Sequence, residues 1–482
     1  MGTAEAISIH AASSHAAIAF SLGGREITYT RLCSDLRSTA RALMGLGVSP
    51  GSLVAVGVDD PYSHCLLMIA LEQLGAGAAS FASNESRFLE ALFSRVDLVL
   101  AASAEAITGA RRLHVVTTDW LRDLRGSGSA ALPLPRSNDD DPIRITRTSG
   151  TTGVTKTLIV PRRQNDARLG HYAKTYGFNA GSRYLVTMAL SVFPIYAAIM
   201  GCLRNGGTVV FPHQSSPTAL PSTGQEITHV ALTPLHLKLI LDALPEDFHK
   251  PKHLTIYAFG AGVSPELRAR ALDRLATRIF GSYGCNEAGF ISIVRPEDES
   301  GSSTIWPGVD VEIVDENDLP LPNGAVGRIR VRSEFMVEGY LDDLDATRRM
   351  FRDGWFYPGD SGVIDVPGCL RLLGRTDDLL NVGGLKYAPE ELERRIAREP
   401  TVLDVGVCSL RNDLGIEEVC AAVVGAETGN DELQSSVLRE LHDFQLGYIR
   451  IFRCAAIPRN EVGKILRDRL RNSLRMALDN DP

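Results

Sequence analysis

The sequence predicts an α/β protein in which buried strands alternate with helices, followed by a small β-rich segment and a C-terminal α+β unit. The residues from Leu53 to Val58 are apolar or glycine, which is typical of a strand buried on both faces. Apolar residues then recur at helical spacing between Leu66 and Leu74, and another apolar strand is predicted at Val96–Leu100. The same alternation returns in the chain after residue 228.

Each remaining element follows from one of these patterns. A short strand at Ile27 leads into an apolar-periodic helix that ends at Gly47, and short strands with proline and glycine turns between Val309 and Val331 predict a small β subdomain. The other predicted elements are a strand at His229–Leu232, a helix at His236–Leu244, a strand at Leu254–Phe259, a helix opened by Gly260, Ala261 and Gly262 and running through Ala276, a strand at Arg278–Tyr283, a helix at Pro389–Arg398, strands at Val402–Cys408 and Val419–Val424, and a terminal helix after Gly463.

Composition and length restrict the class of protein. The 482 residues are 44% hydrophobic and 22% charged, without a low-complexity tract or an internal repeat, which excludes a disordered chain and a solenoid. Domains usually run to about 100–200 residues, so roughly two to four subdomains are expected. The net charge of −8 argues against broad nucleic-acid binding, and we expect no nucleic-acid partner.

The cysteines indicate a reducing compartment. Eight of them are scattered along the chain, with no C-x-x-C pair and no Cys/His cluster at zinc spacing. The first residues carry an acid where a signal peptide has basic residues, and Ala6 stands where a myristoylation motif has Ser or Thr. We therefore expect a cytoplasmic protein.

One apolar segment, Tyr184–Leu203, raises the question of a membrane span. It is about 20 residues long and has arginines at both flanks. Pro194 in its middle instead predicts a strand at Tyr184–Leu190, a turn, and a helix at Ile195–Leu203. We therefore expect a buried strand–turn–helix and no membrane partner.

The stretch Thr148–Lys156 reads Thr-Ser-Gly-Thr-Thr-Gly-Val-Thr-Lys, and its composition points to a ligand. Its glycines and hydroxyl side chains allow backbone N–H groups and short donors to surround one anion, which suits a polyphosphate. A Walker A loop is excluded because its second glycine would fall on Thr155. A surface turn rich in Ser, Thr and Gly explains the same residues, so this stretch alone leaves both interpretations open.

Four further stretches follow this loop in order. They are Tyr283-Gly284-Cys285-Asn286-Glu287; Gly354-Trp355-Phe356-Tyr357-Pro358-Gly359-Asp360; Gly374-Arg375-Thr376-Asp377-Asp378, continuing through Gly383 and Gly384 to Glu393; and Pro458–Arg467. Together with the loop they resemble the ordered motifs of the superfamily of adenylate-forming enzymes, which includes acyl- and aryl-CoA synthetases, carrier-protein adenylation domains and firefly luciferase. The five motifs extend from Thr148 to Arg467, so the resemblance covers essentially the whole chain.

Three positions depart from the patterns of the family. Thr155 stands where proline is usual in T-[ST]-G-[ST]-T-G-x-P-K, Asn286 replaces threonine in Y-G-x-T-E, and Pro358 replaces threonine in G-W-x-x-T-G-D. The charged and glycine positions of these motifs remain. We therefore expect a specialised branch of the family rather than an inactive enzyme.

The resemblance implies an ATP site with a divalent cation. Glu287 is expected to hold the Mg²⁺ that bridges phosphate oxygens, and Tyr283 to stack on adenine. Asp360 and Arg375 are expected to bind the ribose. A solvated loop acid, a core aromatic and a turn residue are the alternatives for Glu287, Tyr283 and Asp360. The full set of expected ATP-binding residues is Thr148, Ser149, Gly150, Thr151, Thr152, Gly153, Lys156, Gly260, Ala261, Gly262, Tyr283, Gly284, Asn286, Asp360 and Arg375.

The same resemblance assigns the first chemical step to Lys464, whose ammonium group would stabilise the charge that builds up on the transferring phosphoryl oxygens. An ordinary exposed lysine near a helix start is the alternative. Asp377 falls at the hinge of the family, so residues 375–482 are expected to form a small mobile lid domain that carries Lys464, after an N-terminal ATP- and acid-binding domain at residues 1–374. Gly384 is expected to let a pantetheine arm pass close to the backbone.

The expected substrate pocket departs from two known patterns of the family. Many acyl- and aryl-CoA synthetases have P-x-F-H where this chain has Ser191-Val192-Phe193-Pro194, and amino-acid adenylation domains have an aspartate in a region that carries no acid here. An ordinary α-amino acid is therefore disfavoured. Aromatic side chains suggest an aromatic or apolar acid, although the same rings also suit a hydrophobic core. These residues are Phe193, Tyr196, Phe259 and Phe290.

The sequence therefore predicts an ATP- and Mg²⁺-dependent ligase that activates a small carboxylic acid as an acyl-adenylate and releases pyrophosphate. The acyl group is expected to pass to a thiol, either of CoA or of the phosphopantetheine of a separate carrier protein. Two alternatives remain: transfer to an amine or another nitrogen nucleophile, and a nucleotide-binding regulator without catalysis. The presence of Lys464, Glu287 and Asp360 argues against the regulator.

Overall fold

The computed structural model describes residues 1–105, 107–124, 138–148, 156–212, 226–298, 302–378, 380–382, 385–411, 417–425, 430–441, 449–460 and 463–479. The chain forms two compact units. Unit 1 comprises Met1–Phe259, Glu266–Ile291 and Arg332–Gly354, and unit 2 comprises Gly260–Pro265, Ser292–Val331 and Trp355–Pro482. The expected domain boundary between residues 374 and 375 stays a prediction.

The helices begin and end at residues suited to these positions. Asp60, for example, accepts a hydrogen bond from the backbone N–H of Ser63 at the start of one helix, which ends at Gly75 in the left-handed conformation. The helices are α1 (Thr3–Ser13), α2 (Tyr29–Gly45), α3 (Pro61–Leu74), α4 (Glu90–Phe93), α5 (Thr118–Leu124), α6 (Arg162–Tyr176), α7 (Phe193–Arg204), α8 (Pro234–Asp242), α9 (Pro265–Arg274), α10 (Leu344–Met350), α11 (Pro389–Ile396), α12 (Asn430–Glu440) and α13 (Arg467–Asp479).

The strands are short, and many are apolar along their whole length. They are β1 (Ile18–Leu22), β2 (Arg25–Thr28), β3 (Leu53–Gly57), β4 (Gly77–Ser80), β5 (Leu98–Ala101), β6 (Leu113–Val115), β7 (Pro142–Thr148), β8 (Lys156–Pro161), β9 (Arg183–Leu185), β10 (Thr208–Phe211), β11 (His229–Leu232), β12 (Thr255–Ala258), β13 (Arg278–Cys285), β14 (Gly289–Val294), β15 (Ser303–Ile305), β16 (Val309–Val314), β17 (Gly327–Ser333), β18 (Phe351–Arg352), β19 (Trp355–Phe356), β20 (Asp360–Val366), β21 (Cys369–Arg375), β22 (Leu380–Val382), β23 (Leu385–Tyr387), β24 (Val402–Arg411), β25 (Glu417–Gly425) and β26 (Ile449–Arg453).

Unit 1 contains two largely parallel arrays of strands. The first is a six-stranded sheet in the order β6-β5-β3-β4-β7-β8, in which only the β7–β8 hairpin is antiparallel. The second has the order β13-β12-β11-β9-β10-β1-β2, in which only β1 and β2 are antiparallel. Helix α3 packs on the first array and α7 on the second, and α1 contacts both helices, so a helical layer separates the arrays. Burial on both faces explains the continuous apolar runs.

Unit 2 combines short antiparallel strands with a C-terminal α+β part. In the first region, β20 pairs with β21 and β17 pairs with β20 and β19. In the second, β24 pairs antiparallel with β25, which pairs parallel with β26. Alternate residues of this sheet enter different cores: Val407 packs with Leu392 of α11, whereas Cys408 packs with Leu470 of α13. Helices therefore cover both faces of the C-terminal sheet.

The predicted alternation of strands and helices is confirmed, with differences at the boundaries. The segment Tyr184–Leu203 forms a strand, a turn and a helix as predicted, but β9 ends at Leu185 because residues 186–192 turn into α7. Helix α9 begins at Pro265 rather than directly after Gly262. Among the described residues, no helix combines the length and the apolarity that crossing a membrane requires.

Candidate active site

The polyphosphate loop predicted from the sequence connects the two strands of the β7–β8 hairpin. Thr148 and Lys156 lie directly opposite each other in the register of this hairpin, so they mark the two ends of the loop. The residues between them lie outside the described part of the chain, and they include the following predicted phosphate-binding positions: Ser149, Gly150, Thr151, Thr152 and Gly153.

Glu287, the predicted metal ligand, is buried and held by three described contacts. The hydroxyl of Tyr340 donates to Oε1 of Glu287 over 2.7 Å. The backbone carbonyl of Glu287 accepts from Nη2 of Arg168 at 3.2 Å and from the N–H of Val337 at 2.9 Å. Burial raises the pKa of Tyr340 above its ordinary value, and the neighbouring Glu287 carboxylate raises it further. The phenol therefore stays protonated and donates this hydrogen bond.

Lys156 lies on the other side of the same tyrosine. Its Nζ is 4.9 Å from the centroid of the Tyr340 ring, a cation–π distance, while the hydroxyl of that ring contacts Glu287. Asn286 donates through Nδ2 to the backbone carbonyl of Arg147, in the strand that leads into the loop, over 3.2 Å. Unit 1 thus brings the end of the loop and the Y-G-x-T-E-like motif together.

The Glu287 carboxylate suits a hard cation. It is 7% exposed, and no described Lys, Arg or His forms an ion pair with it, so a buried negative charge is available. The described residues contain no cluster of three or more His, Cys, Asp or Glu side chains that could hold a metal by themselves. A cation at Glu287 would therefore take its other ligands from water and from phosphate oxygens.

Tyr283 and Gly284 lie near the end of β13, next to Glu287 along the chain. Tyr283 is half-buried, and Gly284 has no room for a side chain because a Cβ there would collide with the backbone carbonyl of Gly289. In unit 2, Gly260 adopts a positive φ of 84°, and Ala261 and Gly262 follow it as exposed residues before α9. The turn after β12 is therefore open at its backbone.

Three of the four predicted pocket aromatics lie in one cluster in unit 1. The ring of Tyr172 is 6.5 Å from that of Phe193 and 4.8 Å from that of Phe290, and the rings of Phe193 and Tyr196 are 6.3 Å apart. Phe259 is buried at the end of β12, and none of the described ring contacts includes it.

Asp360 and Arg375 are neighbours in unit 2. They lie opposite each other in the β20–β21 pair, with Nη1 of Arg375 3.3 Å from Oδ1 of Asp360. Arg375 also donates to the backbone carbonyl of Pro358. Gly359 between these residues has a φ of 75°, and a Cβ there would lie 2.8 Å from Nη2 of Arg375. The glycine of this motif is therefore required for the arginine to reach the aspartate.

Lys464 projects from a tight loop before α13. The backbone N–H of Lys464 donates to Oδ1 of Asn460 at 2.8 Å, and its carbonyl accepts from the N–H of Asn460 at 2.9 Å. Arg459 donates to the carbonyl of Gly463 and is itself paired with Asp404 at 2.7 Å. These contacts hold the backbone of Asn460, Gly463 and Lys464, while the Lys464 side chain is exposed.

The predicted hinge lies beside a cluster of charges in unit 2. Asp377 is in a short 3₁₀ turn, and its neighbour Asp378 pairs with Arg471 at 2.8 Å and with Arg467 at 3.5 Å. Arg467 also contacts Glu390 at 2.6 Å and Glu393 at 2.5 Å. The C-terminal side of the hinge is therefore anchored to α13. Gly384 lies outside the described residues.

Arg467→Met is expected to lower the local stability of the C-terminal part by about 3–5 kcal/mol, because it leaves the buried carboxylate of Glu393 without its cation. Arg467 is 7% exposed, and burial already raises the pKa of Glu393. Hydrogen exchange of peptides from α11, β24 and α13 measures this loss. Arg469→Met, at an exposed position of α13, is the control and should change stability by no more than about 0.5 kcal/mol. Equal protection from hydrogen exchange in Arg467→Met and Arg469→Met would contradict the prediction.

The sequence did not identify three side chains that take part in this geometry. Tyr340 lies outside every motif, yet it contacts Glu287 and Lys156. Arg144 stands between two isoleucines of β7, and Arg168 is inside α6. The sequence signal for a buried Arg144 was its position between two apolar residues. Side chains alternate between the two faces of a strand, so the same pattern also predicts an arginine that faces outward.

Comparisons with known proteins identify the family of this chain. A sequence model of the AMP-binding enzyme family matches residues 8–341, and the chain therefore belongs to that family. A 4-chlorobenzoate–CoA ligase from an Arthrobacter species is 27% identical over 481 residues, which cover 94% of this chain and 91% of that enzyme. A salicylyl-CoA synthase / salicylate adenylyltransferase from a Streptomyces species is 27% identical over 506 residues, with coverage of 95% and 91%.

The fold is also similar to that of known structures. The crystal structure of an anthranilate CoA ligase, AuaEII, in complex with anthranoyl-AMP is similar with a TM-score of 0.88, at 20% identity, and the match covers 99% of this chain and 98% of that one. The α/β fold predicted from the sequence is that of the adenylate-forming enzymes. With its family membership, the chain is an adenylate-forming ligase of the acid–thiol type.

Proposed function

We propose that this ligase activates an aromatic or apolar carboxylic acid with ATP and Mg²⁺ and transfers the acyl group to CoA. A carboxylate oxygen attacks the α-phosphorus of ATP, the bond from that phosphorus to the bridging oxygen breaks, and pyrophosphate leaves. The sulfur of the thiol then attacks the acyl carbon, the thiol loses its proton, and AMP leaves. Each step conserves the atoms of ATP, acid and thiol.

The observation that carries this proposal is the position of Lys156 and Glu287 on two sides of Tyr340. The Lys156 ammonium is 4.9 Å from the ring centroid, and Glu287 accepts the ring's hydroxyl at 2.7 Å. A cation at the end of the loop would meet phosphate oxygens, and Glu287 would hold Mg²⁺, which neutralises phosphate charge when bound. Tyr340 keeps the carboxylate in position for this task.

The nucleoside roles are proposed from the motifs and from their local geometry. Tyr283 would stack on adenine, with Gly284 and Asn286 on the same segment of unit 1. Gly260, Ala261 and Gly262 of unit 2 are proposed as further ATP-binding residues because of their open backbone. Asp360 would accept hydrogen bonds from the ribose hydroxyls, oriented by the 3.3 Å contact with Arg375. These donors and acceptors would position the α-phosphate relative to the acid.

Lys464 is proposed as the catalytic residue of adenylate formation, with Asp377 as the hinge that later removes it. Its exposed side chain on a fixed loop suits a group that enters and leaves a site. The anchoring of Asp378 to α13 supports rotation on the N-terminal side of this residue. Gly384 would then line the path of the pantetheine arm.

The proposal also specifies the class of acid and the acceptor of the acyl group. The cluster of Phe193, Tyr196 and Phe290 suits an apolar or aromatic acid, and the two relatives named above act on 4-chlorobenzoate and salicylate by their names. CoA is proposed as acceptor because both relatives are named for CoA thioesters. The phosphopantetheine of a separate carrier protein is the next acceptor to test, and a nitrogen nucleophile the third. Eight free thiols suit the proposed cytoplasmic location.

Acid-dependent exchange of pyrophosphate into ATP tests the first step. A panel of aryl, fatty and amino acids is expected to give exchange with aryl or apolar members, and none without acid or without Mg²⁺. CoA, a phosphopantetheinylated carrier protein and an amine are then offered to the enzyme and the best acid, and the product is identified by mass spectrometry. Binding of ATP without exchange for any acid would overturn the ligase proposal in favour of a regulator. An amide as the product would overturn the thiol acceptor.

A further inference from the structure

Two buried arginines of unit 1 flank one aromatic ring of the proposed acid pocket. Arg144 of β7 is 1% exposed and Arg168 of α6 is 0% exposed. The central guanidinium carbon of each lies 5.7 Å from the centroid of the Phe193 ring. That of Arg144 is also 4.0 Å from the centroid of the Tyr196 ring. Two positive charges and two predicted pocket residues therefore share one buried region.

Each arginine is fixed in place by backbone carbonyls. Nη2 of Arg144 donates to the carbonyls of Leu190 and Ser191, at 3.2 and 3.0 Å, in the turn that leads into α7. Nε and Nη2 of Arg168 donate to the carbonyl of Phe335, at 3.0 and 2.6 Å, and Nη2 also reaches the carbonyl of Glu287. These contacts hold both guanidinium groups rigidly, and they use only part of each group.

The remaining donors are buried and unpaired in the described part of the chain. They are Nε and Nη1 of Arg144 and Nη1 of Arg168. Neither arginine forms an ion pair with a described acid. Buried polar atoms in proteins almost always have a partner, and a buried charge without one is costly. Donors that remain unpaired while the group itself is fixed therefore indicate a ligand.

Both groups remain cations at neutral pH. Burial lowers the pKa of Arg144 to about 10, which is still well above neutrality. A guanidinium group in general keeps its proton in proteins. A ligand that accepts from their unpaired donors gains most if it carries negative charge and oxygen acceptors, because a guanidinium matches a carboxylate or a similar oxyanion geometrically. The aromatic faces of Phe193 and Tyr196 supply only partial compensation.

We propose that Arg144 and Arg168 form a recognition subsite for a second anionic group, a carboxylate or a sulfonate, on the acid that the enzyme activates. The inference rests on the proposed function, since it concerns the substrate of that reaction. Arg144 holds the carbonyls of Leu190 and Ser191, just before Phe193, and both arginines lie near the ring of Phe193, so the second anion would lie beside that ring. The reacting carboxylate remains free for ATP. Of the acids considered above, this favours an aromatic acid with an anionic substituent over a purely apolar acid.

Matched pairs of acids test this on the native enzyme. Benzoate is compared with phthalate, isophthalate and terephthalate, and butyrate with succinate, in acid-dependent pyrophosphate release. We expect at least one dianionic acid to exceed its singly charged counterpart by about 10²-fold or more in kcat/KM, because a site built for a polar group rejects the analogue that lacks it. Equal or better use of the singly charged members in every pair would overturn the inference.

Arg144→Met and Arg168→Met test the residues themselves. Each is expected to remove at least about tenfold of the preference for the dianionic acid, through a higher KM for that acid. Arg144→Met should leave KM for ATP unchanged, whereas Arg168→Met is judged by the acid preference alone, because Arg168 also holds the carbonyl of Glu287. Arg144→Lys should lose part of the preference because it keeps the charge and loses the planar donor set. Arg162→Met is the matched control, since Arg162 is also buried and also holds a carbonyl, that of Glu72, at 2.7 Å. It should leave the preference unchanged.

The outcomes separate this inference from the proposed function. No pyrophosphate release with any acid would overturn the proposed function. Release without a preference for dianionic acids, or a preference that both arginine variants retain, would overturn only the subsite. A raised KM for ATP with unchanged acid preference in Arg144→Met would overturn it too, because this arginine would then bind phosphate. If a variant fails to fold by circular dichroism, the native acid pairs decide.

Discussion

Lys464→Ala is expected to slow acyl-adenylate formation by about 10²–10³-fold, the usual effect of removing one preorganised group that stabilises transition-state charge. The loss should fall on kcat, with KM for ATP little changed, because the exposed side chain would contribute mainly in the transition state. Pyrophosphate exchange with the best acid measures this step. Thioester formation from chemically prepared acyl-adenylate and CoA should be retained, since the lysine would have left the site by then.

Lys252→Ala is the matched control for this prediction, because Lys252 is also an exposed lysine and lies outside every motif. It should leave both half-reactions unchanged. Equal losses of the two half-reactions in Lys464→Ala would contradict the assigned role and indicate damage to the loop before α13. That loop is fixed through backbone contacts of Lys464 and Asn460, which alanine at position 464 can still make.

Glu287→Gln is expected to reduce adenylate formation by more than the roughly 10–100-fold loss that removal of an outer-shell partner causes in metal sites. The amide keeps the shape of the side chain and can still accept from Tyr340, but it lacks the negative charge that a hard cation requires. The diagnostic measurement is activity as a function of free Mg²⁺, whose midpoint should move to higher concentration. Binding of adenosine, which carries no phosphate, should be unaffected.

Tyr340→Phe is the graded comparison for Glu287→Gln. It removes the 2.7 Å hydrogen bond to Oε1 but keeps the carboxylate and the ring beneath Lys156. We expect a loss of about 10–100-fold, with a smaller shift of the Mg²⁺ midpoint than in Glu287→Gln. An unchanged Mg²⁺ midpoint in both variants would remove Glu287 from the metal site and leave it a structural role.

The motifs explain why the family could be predicted from the sequence. The Asp360 motif is short, and its geometry is local: Gly359 adopts a positive φ so that Arg375 can reach Asp360 across one strand pair. Local geometry requires particular residue types at fixed spacing, and such requirements are visible in a linear sequence. The continuous apolar strands were predictable for the same reason, since burial on both faces acts on each residue separately.

By itself, the sequence determined the α/β class, the order of the motifs and the type of reaction. The tertiary structure decided which distant side chains share a site: Tyr340 meets Glu287 across 53 residues, and Arg144 and Arg168 meet at the ring of Phe193. These contacts depend on how helices pack on the sheets, and no local spacing records that packing. A buried arginine and an exposed one look alike in a sequence, because only the fold removes the water that would have satisfied the first.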